Sequence, residues 1–142
     1  MKTAFFIVLV SCLFLGGDGK DDATTDLKNI QGKWKVTSGV IDGNELPADQ
    51  LGELVYSGNK YTWKSGDQSG AGTFKLDHSK KPKQLDAVPS DGPVKGQTVE
   101  HIYEIDGDKL RICLALPGTN RPTQFKSEAG SGLWLFTYKR VK

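Results

Sequence analysis

About eight short segments of this chain alternate between apolar and polar residues, and this alternation constrains the fold more than any other feature of the sequence. A period of two residues places the apolar side chains of a β-strand on one face. Gly, Asp, Asn and Pro separate the segments, which read KWKVTSGVID, LVYS, KYTW, SGAGTFKLD, KQLDAV, GQTVEHIYEID, KLRICLALP and GLWLFTYKRV.

The first hairpin signal is Gly58–Asn59, which lies between two β-rich segments. Two-residue turns of this kind join antiparallel strands and fix their register. The register pairs Tyr56 with Tyr61 and Leu54 with Trp63. All four apolar side chains then share one face.

A second hairpin signal is Asp106–Gly107, a dipeptide favoured in type I′ turns. With this turn at the centre, Glu100 and Glu104 point to one face. The opposite face carries three pairs: Tyr103 with Leu110, His101 with Ile112, and Val99 with Leu114.

The connections between these strands are mostly shorter than the dozen or so residues that a parallel crossover needs, so neighbouring strands are expected to be antiparallel. Eight such strands are stable when they close, because closure removes both exposed edges. We therefore predict an all-β fold: one eight-stranded antiparallel up-and-down barrel, preceded by a short helical turn within Thr24–Gln31. The interior of such a barrel is filled by side chains or takes one small ligand.

The segment GKWKV, at positions 32–36, begins the first predicted strand. Alternation places Trp34 inside the barrel and its two lysine neighbours in solvent. The same alternation predicts that the inward face continues through Val36, Ser38 and Val40.

Gly32-Lys33-Trp34, after a short helical turn, resembles the Gly-x-Trp start of the lipocalin superfamily. In that superfamily an arginine late in the last strand packs over this tryptophan at the closed end of the barrel, and Arg140 is the matching residue. The resemblance implies that Gly32, Trp34 and Arg140 close one end, so that any ligand enters at the other.

The chain also resembles a lipocalin-like domain family of planctomycete bacteria. This resemblance implies a lipocalin-like β-barrel domain over residues 30–142, and it implies no activity, ligand or catalytic residue. It is carried by the stretches IQGKWKV, DGNELP, FKLDHSKKPKQLD, GPVKGQT, IYEIDGDKLRICLALPG, RPTQF and GSG.

Residues 1–19 have the composition of a secretory signal peptide: Lys2 near the start, the uncharged apolar run Thr3–Leu15, and then glycines and Asp18. The apolar run of about 13 residues is too short to span a bilayer core of about 30 Å as a helix. We therefore expect export to the periplasm, the cell envelope or the medium. Residues 20–29 would then form a linker and the helical turn.

Two fates of the leader stay open. Cleavage before Lys20 would release a soluble domain. Alternatively, Leu9–Cys12, which reads LVSC, resembles the lipobox of bacterial lipoproteins, and lipidation of Cys12 would anchor the chain to a membrane.

Charge and cysteine content argue against several classes of protein. Removing residues 1–19 takes away Lys2 and Asp18 and leaves the net charge at +2, which gives no indication of a nucleic-acid partner. Only Cys113 then remains, so an internal disulfide is ruled out and we expect a monomer. One Cys and two His show no recognisable metal-ligand spacing, and we predict neither a metal nor another cofactor.

No catalytic constellation is evident. Cys113 is predicted to face outward with Arg111, and no motif supplies it with a base. The sequence has no Gly-x-Ser-x-Gly elbow and no phosphate-binding loop, so we do not expect an enzyme. His101 faces the core, either as a hydrogen-bonded core residue or as part of a ligand site.

The first functional hypothesis is a carrier that takes a small apolar or amphipathic ligand into the barrel. Its candidate wall residues are Tyr56, Tyr61, Trp63, Phe74, His101, Tyr103 and Phe136.

The alternative is a barrel with a solid core that acts as a structural or protein-interaction module at the cell envelope. In that case the outward-facing Leu133 and Leu135, with the loop Pro117–Gly132, would form the surface that contacts a partner.

Overall fold

The computed structural model describes residues 25–142. The predicted signal peptide, its cleavage site and Cys12 lie outside the described residues. Within residues 25–142, no helix is long and apolar enough to cross a membrane. The elements are a helix α1 over residues 25–30, a 3₁₀ turn at Ala48–Gln50, and nine strands: β1 Gly32–Ile41, β2 Asn44–Glu45, β3 Glu53–Ser57, β4 Lys60–Ser65, β5 Gln68–Asp77, β6 Gln84–Pro89, β7 Val99–Asp106, β8 Lys109–Ala115 and β9 Leu133–Arg140.

Eight of the nine strands close into one antiparallel barrel. The order is β1-β3-β4-β5-β6-β7-β8-β9, and β9 pairs back onto β1. The remaining strand, β2, has two residues and pairs only with the end of β1. The predicted fold class is confirmed, and a closed eight-stranded barrel with a short N-terminal helix is consistent with a lipocalin-like fold.

Three hairpins have two-residue loops that begin with glycine: Gly58, Gly66 and Gly107. Their φ angles are 64°, 59° and 58°. Glycine at the first loop position suits the turn whose twist matches that of the flanking strands. In the first of these hairpins, Tyr56 pairs with Tyr61 and Leu54 with Trp63, as the sequence predicts.

The predicted register of β7 and β8 is wrong by two residues. The loop consists of Gly107 and Asp108, so that Asp106 pairs with Lys109, and His101 pairs with Leu114 instead of Ile112. Side chains alternate with a period of two, so a shift of two residues changes the partner of each side chain but not the face to which it points.

A β-bulge between Val36 and Ser38 corrects the predicted alternation of β1. An extra residue in one strand reverses the facing of every residue that follows it. Consequently Ser38 is exposed and Gly39 is buried. The residues of β1 that face the barrel interior beyond the bulge are Gly39 and Ile41, not Ser38 and Val40.

Trp34 and Arg140 lie together at one end of the barrel, which we call the closed end. Trp34 is fully buried, and its Nε1 donates a hydrogen bond to the main-chain oxygen of Ile30 at 2.8 Å. The Arg140 guanidinium lies 4.2 Å from the centre of the indole ring. Its Nη1 donates to the main-chain oxygen of Gln31 at 3.0 Å, and its Nη2 donates to that of Asn29. Arginine therefore joins the last strand to α1 across the indole face.

Asp26 attaches α1 to the far side of the closed end. Its Oδ2 accepts a hydrogen bond from the Tyr103 hydroxyl at 2.7 Å and one from Lys83 Nζ at 2.9 Å. Burial, followed by the hydrogen bond to Asp26, raises the pKa of Tyr103 far above its usual value. The phenol is therefore a permanent hydrogen-bond donor to this carboxylate.

Gln31 and Gly32 connect α1 to the sheet. The Gln31 side chain donates to the main-chain oxygen of Gly58 at 3.0 Å and accepts from its main-chain N–H at 2.7 Å. Gly32 has a φ of 108°, a conformation that residues with a Cβ rarely adopt, and it turns the chain into β1. The amide of Gln31 thus holds the first strand against the β3–β4 turn.

We expect Arg140→Met to lower the free energy of unfolding by about 2–4 kcal/mol. The change removes the cation–π contact and the charge-assisted hydrogen bonds to the carbonyls near α1. Arg140→Lys keeps the charge but loses the planar fork, and should cost about half as much. Urea denaturation followed by tryptophan fluorescence measures both.

The matched control is Lys139→Met, one residue earlier on an exposed side chain. It should change the free energy of unfolding by less than about 0.5 kcal/mol. Similar losses for the two methionine variants would contradict a special role for the contact of Arg140 with Trp34.

Candidate functional site

The inward-facing side chains of the barrel differ in burial. Some are at most 7% exposed: Trp34, Tyr56, Phe74, Ala87, Val99, Tyr103, Leu110, Ile112 and Tyr138. Others are half-buried, and four of these lie in the halves of their strands away from the closed end: Trp63, Leu114, Trp134 and Phe136. We call these four half-buried side chains the mouth.

Two glycines of β5 lie beneath the aromatic rings of β4. Gly70 pairs with Trp63, and Gly72 pairs with Tyr61. A Cβ added to Gly70 would lie 2.4 Å from Trp63 Nε1, and one added to Gly72 would lie 2.7 Å from the Tyr61 ring. Such distances exclude any larger side chain without movement of the rings. The glycines therefore allow both rings to lie against β5 on the inner wall of the barrel.

The rings of β9 form the wall opposite. Trp134 and Phe136 meet edge to face, with ring centres 6.3 Å apart, and Phe136 meets Tyr138 at 6.1 Å. On the neighbouring strand, a Cβ at Gly39 would lie 3.0 Å from the Phe136 ring and 2.8 Å from Leu46. This aromatic series runs continuously from the mouth into the buried core.

His101 lies below the mouth and is 8% exposed. Its Nδ1 is 2.9 Å from the main-chain oxygen of Val99, and since a carbonyl only accepts, Nδ1 carries the hydrogen. Burial, with Arg121 as a second cause, lowers the pKa of His101 to about 4, so the ring is neutral at pH 7. Nε2 is then a hydrogen-bond acceptor.

The Nε2 atom of His101 makes no hydrogen bond to a residue within 25–142. His101 pairs with Leu85 and Leu114, so its side chain faces the barrel interior beside a mouth residue.

The seven residues predicted to bind a ligand do not all lie together. Trp63 and Phe136 belong to the mouth, and His101 pairs with the mouth residue Leu114. Tyr61 is half-buried, but it follows the β3–β4 turn of the closed end and pairs with Tyr56. Tyr56, Phe74 and Tyr103 lie in the buried core, where the rings of Tyr56 and Phe74 are 4.6 Å apart.

Two mouth residues, Trp134 and Leu114, were not among those candidates. Alternation already places Trp134 on the same face as Phe136, so the sequence contained the signal for it. The pairing of Leu114 with His101 is set by the register of β7 and β8, and its pairing with Trp134 by that of β8 and β9.

The β8–β9 connection, residues 116–132, contacts the outside of the barrel through Arg121. Arg121 Nη1 donates to the main-chain oxygen of His101 at 2.8 Å. Its Nη2 binds Asp86 at 2.6 Å and Glu100 at 3.2 Å. Asp86 and Glu100 are opposite each other in the β6–β7 ladder, and like charges in that position repel. Arg121 neutralises this pair and holds the connection in place.

Cys113 lies on the outer face of β8, as predicted, but it is fully buried. The thiol contacts the main-chain oxygen of Lys126 at 3.5 Å, so the connection 116–132 covers it. Burial raises the pKa of the Cys113 thiol. A covered, protonated thiol is a poor nucleophile.

Leu133 and Leu135, proposed above as an exposed patch, are half-buried. Ser127 of the connection donates to the main-chain oxygen of Leu133 at 2.6 Å. Within residues 25–142, the exposed large apolar side chains are instead Leu27 and Val141. The interaction-module hypothesis therefore loses its apolar patch on β9, whereas much of the loop Pro117–Gly132 on which it also relied is exposed.

A shallow cleft of about 430 Å³ runs along the outside of β1, β3 and β4. Its charged walls include the ion pair of Lys33 with Glu53 at 3.3 Å. The cleft is lined by Lys33, Lys35, Leu51, Gly52, Glu53, Lys64, Gly66 and Val141. It lies on the outer wall, and none of the predicted ligand-binding residues lines it. Over residues 25–142, no group of three or more His, Cys, Asp or Glu is placed to hold a metal ion.

Comparison of the chain with family models, with curated proteins and with solved structures gave no match.

We expect Arg121→Gln to speed labelling of Cys113 by a thiol reagent about tenfold or more, because local opening of the connection 116–132 then costs less free energy. The measurement uses a chain that also carries Cys12→Ser, so that Cys113 is the only thiol. Lys126→Gln, an exposed side chain in the same connection, is the control and should leave the rate near that of the parent. An unchanged rate in Arg121→Gln would mean that Arg121 does not hold the connection closed.

Stability should fall as the pH is lowered toward 4, because of His101. Its pKa of about 4 in the folded chain lies below the usual 6.5, so the unfolded chain binds a proton at higher pH than the folded chain. The contribution is complete above about pH 6.5 and decreases below it, by about 2–3 kcal/mol at pH 4.5.

Urea denaturation at several pH values, compared between the parent chain and His101→Asn, isolates this contribution from that of the carboxylates. The asparagine keeps a donor for the Val99 carbonyl but does not titrate. His78→Asn, in the turn after β5, is the control and should retain the dependence due to His101. Parallel profiles for the parent and His101→Asn would refute the assignment.

Proposed function

We propose that the chain is an exported lipocalin-like barrel that binds one small, mainly apolar ligand at its mouth. The observation that carries this proposal is the group of half-buried apolar side chains in the open halves of three strands. Trp63, Leu114, Trp134 and Phe136 face the barrel interior and remain partly exposed.

A ligand that covers the mouth would remove apolar surface from water. Trp63, Trp134 and Phe136 each present a ring that is already ordered by neighbouring groups, so binding costs little side-chain entropy. Burial of apolar area contributes about 25 cal/mol per Å². Micromolar binding corresponds to about 8 kcal/mol. The half-buried rings can contribute that much only when the ligand covers most of them.

His101 indicates the polar part of the ligand. Its Nε2 is an acceptor without a partner among residues 25–142, and His101 pairs with the mouth residue Leu114. A neutral imidazole in this tautomer pairs with a donor and repels a carboxylate. We therefore assign the ligand to long-chain or cyclic alcohols, whose hydroxyl would reach Nε2 while the apolar body covers the rings.

Export and family membership belong to the same proposal. Export is supported by the composition of residues 1–19, with a basic start, an apolar run and a polar exit. Membership of the planctomycete lipocalin-like family rests on the seven sequence stretches quoted above. Export is tested by looking for the chain in an envelope or culture fraction of its host. We expect it there in a form shortened by removal of the leader.

The binding test is a titration of the chain with a long-chain alcohol, followed by tryptophan fluorescence and by the shift in thermal unfolding temperature. We expect saturable binding, and we expect the methyl ether of the same alcohol to bind about tenfold more weakly, because it cannot donate to Nε2. Trp134→Ala should weaken alcohol binding about tenfold through lost apolar contact.

Leu133→Ala is the matched control, because it truncates the neighbouring residue of β9 on the outer face. It should leave the affinity within about twofold of the parent. His101→Phe should bind the alcohol and its ether equally. The proposal fails if no apolar ligand saturates the chain, or if Leu133→Ala weakens binding as much as Trp134→Ala does.

A further inference from the structure

The surface charge of the described chain differs between the two ends of the barrel. We define the closed face as the segments 25–31, 57–60, 77–84, 106–109 and 139–142, and it carries nine basic and four acidic side chains. The open-end connections are the segments 42–52, 66–67, 90–98 and 116–132, and they carry three basic and six acidic side chains. Positive charge is therefore concentrated where α1 covers the barrel.

Most of the basic side chains on the closed face are free to meet an external anion. Lys83 pairs with Asp26, and both Arg140 and Lys142 pair with Asp108. The lysines of this face that form no ion pair within residues 25–142 are Lys28, Lys60, Lys80, Lys81, Lys109 and Lys139.

One exposed large apolar side chain, Leu27, lies on the same face. It belongs to α1, is 43% exposed and is followed in sequence by Lys28. Val141 is 45% exposed, but it lines the cleft on the outer wall. Apolar side chains beside lysines are typical of surfaces that contact the headgroup region of a bilayer.

The covalent path of the chain also favours contact of the closed face with a bilayer. Because α1 lies on the closed face, the residues that precede Thr25 join the barrel there. Any membrane anchor within those residues, including a lipid on Cys12, would bring the closed face toward the bilayer. The open end would then point into the surrounding solution.

We propose that the closed face binds the surface of an anionic lipid bilayer and orients the barrel with its mouth away from the membrane. The free lysines attract anionic headgroups, and Leu27 enters the headgroup region. This proposal does not rest on the alcohol-binding function, since none of its residues belongs to the mouth. It predicts membrane contact through the folded domain, in addition to any anchor.

The test compares binding of the full chain to vesicles of phosphatidylcholine alone and to vesicles with equal amounts of phosphatidylglycerol and phosphatidylcholine. We expect preferential binding to the anionic vesicles. The variant Lys28→Glu, Lys60→Glu, Lys80→Glu should lose about tenfold or more of that preference, since each lysine near an anionic surface contributes severalfold to binding. The control Lys64→Glu, Lys95→Glu, Lys126→Glu makes the same change in net charge away from the closed face and should lose clearly less.

Hydrogen exchange of the vesicle-bound parent chain gives a second measurement that needs no variant. Added protection should appear in segments 25–31, 57–60 and 77–84 of the closed face and not in segments 42–52 and 90–98. Equal losses in the two charge variants, or protection at the open end, would overturn the proposal. Binding to a DNA duplex as tight as that to anionic vesicles would also overturn it, because the surface would then recognise polyanions in general.

Discussion

Burial of Trp34 beneath Arg140 is the interaction on which the rest of the barrel depends. The two residues are opposite each other in the β1–β9 ladder, so the contact sits where the first and last strands of the barrel meet. The same arginine bonds to carbonyls next to α1, and the indole N–H bonds to Ile30. This stacked pair therefore links the closure of the sheet between β1 and β9 to the covering of one barrel end by α1. A closed sheet has no free edge.

Aromatic side chains have two roles inside the barrel. Near Trp34, aromatic rings fill the space between strands and act as core. Elsewhere on the inner wall, Gly39, Gly70 and Gly72 replace larger residues, and the rings of Phe136, Trp63 and Tyr61 lie against these glycines. These three rings are half-buried. The interior thus contains aromatic rings that form the core and others that remain partly exposed to solvent.

Alternation and turn residues were sufficient to predict the strands, their antiparallel order and the facing of most side chains. They could not predict the bulge after Val36, because an inserted residue leaves no mark on local composition. They also could not fix the β7–β8 turn, since a shift of two residues satisfies the same pattern. Facing does not give the degree of burial, so Tyr56 and Tyr61 appear equivalent in sequence although one is buried and the other half-buried. The contacts of Arg121 join distant segments without any periodicity, and only the folded chain brings them together.

The order of strands has a consequence for how this chain folds. Each barrel strand pairs with its neighbour in sequence, except where β9 meets β1, where Thr37 and Thr137 are 100 residues apart. Nearly all the pairing is therefore local and can form one hairpin at a time. The β1–β9 ladder instead joins the two ends of the barrel sequence, and its formation costs the entropy of closing a long loop. We therefore expect the contact of Trp34 with Arg140 to form late in folding, because both residues lie on that ladder.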